Sequence, residues 1–290
     1  MADKSKISWC DATWQVVAGC SPVSPGCANC YSARLLATRH RHLPWARGLA
    51  VYDDSGDGER KAHWTGRVVC RRDQLTWPFH KRAPLVVFVG DRGDLFHAAV
   101  PDRFIAEVFT AAYLSQHTFL MLTKRPQRMC EYVTARTASD DDAIRNIWLG
   151  TTVEDQQRHD ERVPILRETP AALRFLSVEP LLGPVKLDLR GVGWVIVGGE
   201  SGPGARPCHR EWVTSIVRQC KDAAVPVWVK QLGANQRYDF GASHPFPRQR
   251  SGSDMAEWPI DLRIRERPAI GAARAVTETN RQEKRRWDER

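Results

Sequence analysis

The chain has 290 residues, 42% apolar and 27% charged, with a formal charge of +9 at pH 7. That apolar share builds a sizeable core and excludes wholesale disorder. No run approaches about 18 uncharged apolar residues, which excludes a membrane-spanning helix.

From the N-terminus, Met1-Ala2-Asp3-Lys4-Ser5-Lys6 leads into Ile7-Ser8-Trp9 without the apolar stretch of a secretory signal, so the expected location is the cytoplasm. A weak strand at Trp14–Val17 precedes Cys20, Cys27 and Cys30, on a loop stiffened by Pro22, Pro25 and Gly26. A helix is expected at about 30–40. Residues 41–66 read as a loop insertion. Its run Asp53-Asp54-Ser55-Gly56-Asp57-Gly58 lacks the closing Glu and flanking helices of a calcium loop. Arg67–Cys70 is a second weak strand. Stronger apolar runs follow at Leu85–Val89, Phe119–Leu122, Ile147–Gly150, Phe175–Val178, Trp194–Val197 and Val227–Val229. Continuous rather than alternating runs predict strands buried on both faces of a parallel sheet. Apolar stripes supply the covering helices, with Phe104, Ile105, Val108, Phe109 and Ala112 in 102–116 and Trp212, Val213, Ile216, Val217 and Cys220 in 211–224. The predicted fold is α/β: a TIM-like (β/α) barrel, complete or partial, of six to eight βα units over residues 1–235, with a doubly wound open sheet as the alternative. Residues 236–261 read as an irregular cover. Residues 262–290, with nine basic and five acidic side chains, read as a basic mobile tail or partner-binding arm.

In such folds ligands bind at the C-terminal ends of the strands. Those ends carry Asp91, Asp94, Lys124, Glu154, Glu179, Glu200 and Lys230, which serve either a ligand or the cap of a following helix. Four of the eight cysteines crowd the first thirty residues, and in a cytosolic chain such clustering reads as metal binding or catalysis rather than as cross-links. Three thiolates on one loop suit a cubane iron–sulfur cluster whose fourth iron stays open to a small molecule. The rival reading adds Cys10, or His40 or His42, to complete a closed tetrahedral zinc site. The protein is then a zinc-stabilised nucleic-acid-binding or assembly protein. Cys70, Cys130 and Cys220 read as core. Cys208, beyond a strand end, is a candidate catalytic hydrogen-atom donor, and His97 a candidate general acid/base or substrate contact. There is no Gly-x-Ser-x-Gly elbow, His-Glu-x-x-His helix or Walker-type phosphate loop.

A set of motifs recurs in a fixed order: Ile7-Ser8-Trp9, Gly19-Cys20, Val23-Ser24-Pro25-Gly26-Cys27, Asn29-Cys30-Tyr31, Asp94-Leu95-Phe96-His97, Leu122-Thr123-Lys124-Arg125-Pro126, Ser177-Val178-Glu179-Pro180-Leu181-Leu182-Gly183, Gly198-Gly199-Glu200-Ser201-Gly202 and Lys230-Gln231-x-Gly233. Over residues 7–233 the chain resembles the phage- and mobile-element-associated three-cysteine-motif family, which is treated as radical-SAM-like. The resemblance implies a [4Fe–4S] cluster on Cys20, Cys27 and Cys30 and S-adenosylmethionine as cofactor. It also implies an electron donor and a separately encoded partner protein. Asp91, Asp94, Glu154, Glu179 and Glu200 become candidates for the ammonium group and ribose, and Lys124 and Lys230 for the methionyl carboxylate. Two positions depart from the radical SAM pattern. Asn29 stands where an aromatic residue usually contacts adenine, with Tyr31 just past the cysteine, and Gly-Gly-Glu appears late, at Gly198-Gly199-Glu200. Net charge and the mobile-element association point to a nucleic acid or nucleotide substrate.

Overall fold

The computed structural model describes residues 5, 7–52, 61–137, 146–237 and 251–270. The acidic run 53–58, half of the cover segment (238–250) and positions 271–290 of the basic tail therefore lie outside the described residues. Seven parallel strands form one sheet in chain order: β1 (Ala12–Trp14), β2 (Val86–Val89), β3 (Thr118–Thr123), β4 (Ile147–Thr152), β5 (Leu173–Val178), β6 (Trp194–Gly198) and β7 (Val227–Gln231). Among the described residues five α-helices accompany them: α1 (Tyr31–Ala37), α2 (Asp102–Tyr113), α3 (Pro126–Thr137), α4 (Gln156–Glu168) and α5 (Arg210–Asp222). The sheet curls into a half-barrel, consistent with a partial barrel. The two weak strand predictions shift: β1 ends at Trp14, and a separate short strand, Val17–Gly19, pairs with Val69–Cys70.

Period-two alternation sorts the strand residues to the two faces of the sheet. Val87, Val89, Phe119, Met121, Ile147, Leu149, Leu176, Val178, Val195 and Val197 face outward and pack under the stripes of α2 to α5. Inward, the concave face is filled mainly by rings. Phe88, Trp148, Phe175, Trp194 and Trp228 meet Trp9, which arrives from the segment before β1. Trp194 sits at the centre, its ring 6.0–6.3 Å from those of Trp9, Trp148, Phe175 and Trp228. These rings plug the barrel's lower half, so space is left only towards the C-terminal ends of the strands.

The open seam between β7 and β1 is closed by the C-terminal chain. Ile264 and Glu266 exchange backbone hydrogen bonds with Val229 and Val227, and Arg265 bridges antiparallel to Trp228. Arg267 then donates to the Trp9 carbonyl at 3.1 Å and lies 3.8 Å from Asp11. Residues 264–267, which the sequence assigns to a basic tail, thus form a strap along the edge of β7. Their anchors are Trp258 and Leu262, both buried in the main core although charged residues surround them in sequence. The strap also covers a strand edge that would otherwise expose unpaired backbone groups. No helix among the described residues is long and apolar enough to cross a membrane.

The plug leaves no room for a side chain at Gly150, because a Cβ there would meet the Phe175 ring at 2.5 Å. Gly150→Ala is expected to destabilise the fold by ~1–3 kcal/mol through overpacking, read as a lower urea midpoint at unchanged slope.

Candidate active site

Cys20, Cys27 and Cys30 line one cavity of about 610 Å³ at the C-terminal ends of the strands. Trp9, Phe88 and Leu122 give it an apolar floor, and the inward-facing residues at the strand exits, Lys124, Thr152, Ser177, Glu179, Glu200 and Lys230, line it above them. The cysteines arrive on a loop laid across this mouth. None of residues 20–30 is buried, so what positions the loop is polar.

Three anchor points hold the loop. At its start, Arg125 donates from Nη2 to the Ser21 carbonyl at 2.9 Å and hydroxyl at 3.0 Å, while its Nη1 lies 3.6 Å from Cys20 Sγ. Asp94 holds that guanidinium at 2.8 Å and accepts in addition from the Thr123 hydroxyl and the Phe96 amide. At the middle, the Ser24 hydroxyl donates to Glu154 at 2.7 Å, and Gly26 passes so close that a Cβ would meet the Glu154 side chain at 2.4 Å. Glu154 is fully buried and is balanced by Arg162 at 3.3 Å and Lys124 at 3.6 Å. At its end, Asn29 donates to Glu200 at 2.8 Å, and Arg206 grips the same carboxylate while donating to the Pro25 carbonyl at 2.9 Å. Fixing each loop residue costs ~1–2 kcal/mol of backbone entropy, and a hydrogen bond to a charged group contributes ~1.5–3 kcal/mol. Only several such anchors together hold a loop of this length in one geometry.

The candidate site residues thus separate into groups. Asp94, Glu154 and Glu200 are carboxylates already occupied by the loop and its supporting arginines and lysine. Glu179 is paired with Lys230 and also accepts from Gln231 at 3.2 Å. Asp91 is different. It lines the cavity, its Oδ2 pairs with Arg92 at 2.8 Å, and its buried Oδ1 has no partner among the described residues. Burial pushes its carboxyl above the usual aspartate range. Tyr31 lines the cavity and donates to the Asp91 carbonyl at 3.0 Å.

His97 lies behind the wall rather than on it. The Ala99 amide donates to its Nδ1 at 3.1 Å, so Nε2 carries the proton and donates to the Ser21 hydroxyl at 2.8 Å. Burial, with Arg125 nearby, lowers its pKa and keeps the ring neutral. Cys208 lies apart from the cavity, in the core beside Val213 and Leu232, where burial pushes its thiol up to about 12. Cys10 is packed among the plug rings, its sulfur 3.3 Å from the Ser5 hydroxyl. His40 meets the Trp45 ring edge-on, with centroids 5.9 Å apart. Burial, then Asp94, pushes the Cys20 thiol up to about 11 against the opposing pull of Arg125. Among the described residues no three His, Cys, Asp or Glu side chains converge closely enough to hold a single metal ion.

The residues that sequence reasoning did not assign are Ser21, Ser24, Arg125 and Arg206. Arg125 and Ser24 sit inside the quoted motifs and Ser21 directly follows Cys20, so their place beside named candidates was the available signal. Arg206 carried none.

A family model described as "Protein of unknown function (DUF5131)" matches residues 4–290. No curated protein and no solved structure matches the chain.

The end anchor carries a pH signature. Burial raises the Glu200 carboxyl, but the bonds from Arg206 and Asn29 outweigh it and hold its pKa below the ordinary glutamate value of 4.5. A carboxyl depressed on folding contributes stability above the unfolded pKa and loses it as pH falls through the folded one. Glu200→Gln is therefore expected to cost ~1–3 kcal/mol near neutral pH. The gap from the parent should narrow as pH falls below 4.5, which urea titrations across that range will measure.

Proposed function

The chain belongs to the DUF5131 family, and from its site we propose that it is a radical-SAM-like iron–sulfur enzyme. The carrying observation is that three cysteines on one anchored loop share a cavity wall at the C-terminal ends of a curled parallel sheet. The donor set fits a cluster. A cubane takes one thiolate at each of three irons, so it needs sulfurs around a common space rather than at one point. When bound, such a cluster supplies one electron to cleave the sulfonium of S-adenosylmethionine, giving methionine and a deoxyadenosyl radical that abstracts hydrogen from substrate.

The protein's own groups have distinct tasks. Cys20, Cys27 and Cys30 hold the cluster as thiolates, and Arg125 beside Cys20 favours that charge state. Asp91, with its unpartnered oxygen, takes the ammonium group of the methionyl moiety. Asp94, Glu154 and Glu200 position the loop and touch neither cofactor. The Trp9, Phe88 and Leu122 floor keeps water from the reacting face. His97 is a positioning residue that fixes Ser21.

Protein prepared without air is expected to carry iron and sulfide at about four of each per chain. It should release deoxyadenosine when given reductant and S-adenosylmethionine. Cys20→Ala, Cys27→Ala and Cys30→Ala should each lose most of the iron, and Cys10→Ala should keep it. A colourless protein holding zinc that Cys10→Ala abolishes would overturn the proposal in favour of a closed zinc site.

A further inference from the structure

Two cations on the cavity wall, Arg34 and Arg265, have no acid partner among the described residues. The other charged groups there are paired: Asp91 with Arg92, Asp94 with Arg125, Lys124 with Glu154, Glu179 with Lys230, and Glu200 with Arg206. Arg265 is held firmly all the same. Its guanidinium lies 5.7 Å from the Trp228 ring and 5.5 Å from Trp258, and it reaches only the Val229 and Lys230 carbonyls, both at 3.5 Å. Indole faces attract a cation but accept few of its hydrogen bonds. Burial lowers the pKa of this arginine, the opposite of what an acid neighbour does.

The segment that leads into the strap builds more of the same wall. Ser251 and Ser253 line the cavity with hydroxyls 2.8 Å apart. Between them Gly252, at φ +64°, accepts from the Leu232 amide and the Trp258 indole, which fixes the turn to the exit of β7. Arg34, on α1, lies over Gly202, where a Cβ would meet its guanidinium at 2.6 Å. Tyr31 and Trp64 add aromatic rings to the wall, and Tyr31 is 43% exposed.

We infer that this cavity recognises a nucleotide, with Arg265 and Arg34 taking its phosphate and an aromatic ring of the wall stacking on its base. A planar guanidinium without a carboxylate is matched to phosphate oxygens in a two-pronged contact, and exposed rings serve any base by stacking. The nucleotide is either free or one unit of a single strand. The inference rests on reading the cavity as the active site, and it names the substrate class that site takes.

Binding to the full-length protein tests it, using common nucleoside 5′-monophosphates, their nucleosides, and a short labelled single-stranded oligonucleotide. Monophosphates are expected to bind at least about tenfold more tightly than nucleosides, and Arg265→Gln should remove at least about tenfold of that affinity. Arg34→Gln should act in the same direction from outside the tryptophan sandwich, and Arg265→Lys should fall between. Arg103→Gln, an exposed change on α2, is the charge-matched control. If the oligonucleotide is the better ligand, each cavity variant should also lower its salt slope by about one. Equal affinity of Arg265→Gln and Arg103→Gln, or no binding of any phosphate-bearing probe, would overturn the inference. Protein that binds nucleotides without carrying iron would leave it standing and remove the cluster reading. Iron-loaded protein indifferent to phosphate would do the reverse.

Discussion

Everything at the mouth of this sheet depends on buried carboxylates being matched to the backbone and side chains of one loop. Asp94, Glu154 and Glu200 leave three different strands and converge on the stretch from Ser21 to Asn29. Each is itself neutralised by a cation, Arg125, Arg162 or Arg206. A buried carboxylate without such a partner would protonate or pull in water, and the loop would lose its acceptors. The cysteines are therefore placed by acid–base pairs of the scaffold, much as hydrogen-bonded neighbours orient the ligands of a metal. This division of labour explains why a mouth so rich in charge offers little free charge to a ligand.

The plug of rings sets the other boundary. A half-barrel has a concave face too wide for aliphatic side chains alone, and Trp194 with its four aromatic neighbours fills it at the N-terminal end. Above that level the inward positions change to Thr152, Ser177, Glu179 and Lys230. The change from apolar to polar along each strand, two residues per step, defines the depth of the cavity. The floor and the loop are thus fixed independently, one by packing and one by ion pairs.

Much of this was legible in the chain. Continuous apolar runs located β2 to β7 because burial on both faces leaves no polar alternation to confuse them. The half-barrel, rather than a closed one, was not legible, since closure depends on how the last strand meets the first. The strap escaped for a related reason: Trp258, Leu262 and Ile264 are scattered among arginines and glutamates without period. At the mouth, the sequence named the three cysteines and several of the strand-exit residues that line the cavity, but their roles were not separable. Sequence shows that Asp91 and Asp94 both follow β2. It does not show that Asp94 is saturated by Thr123, Arg125 and a backbone amide while Asp91 keeps one oxygen unused.

The strap has a consequence for biogenesis. The groups that complete the cavity, Ser251, Ser253 and Arg265, leave the ribosome after every other residue of its wall, while Trp9 and the cysteines leave early. Until Arg267 reaches back to Trp9, the seam between β7 and β1 stays open and the cavity is approachable from that side.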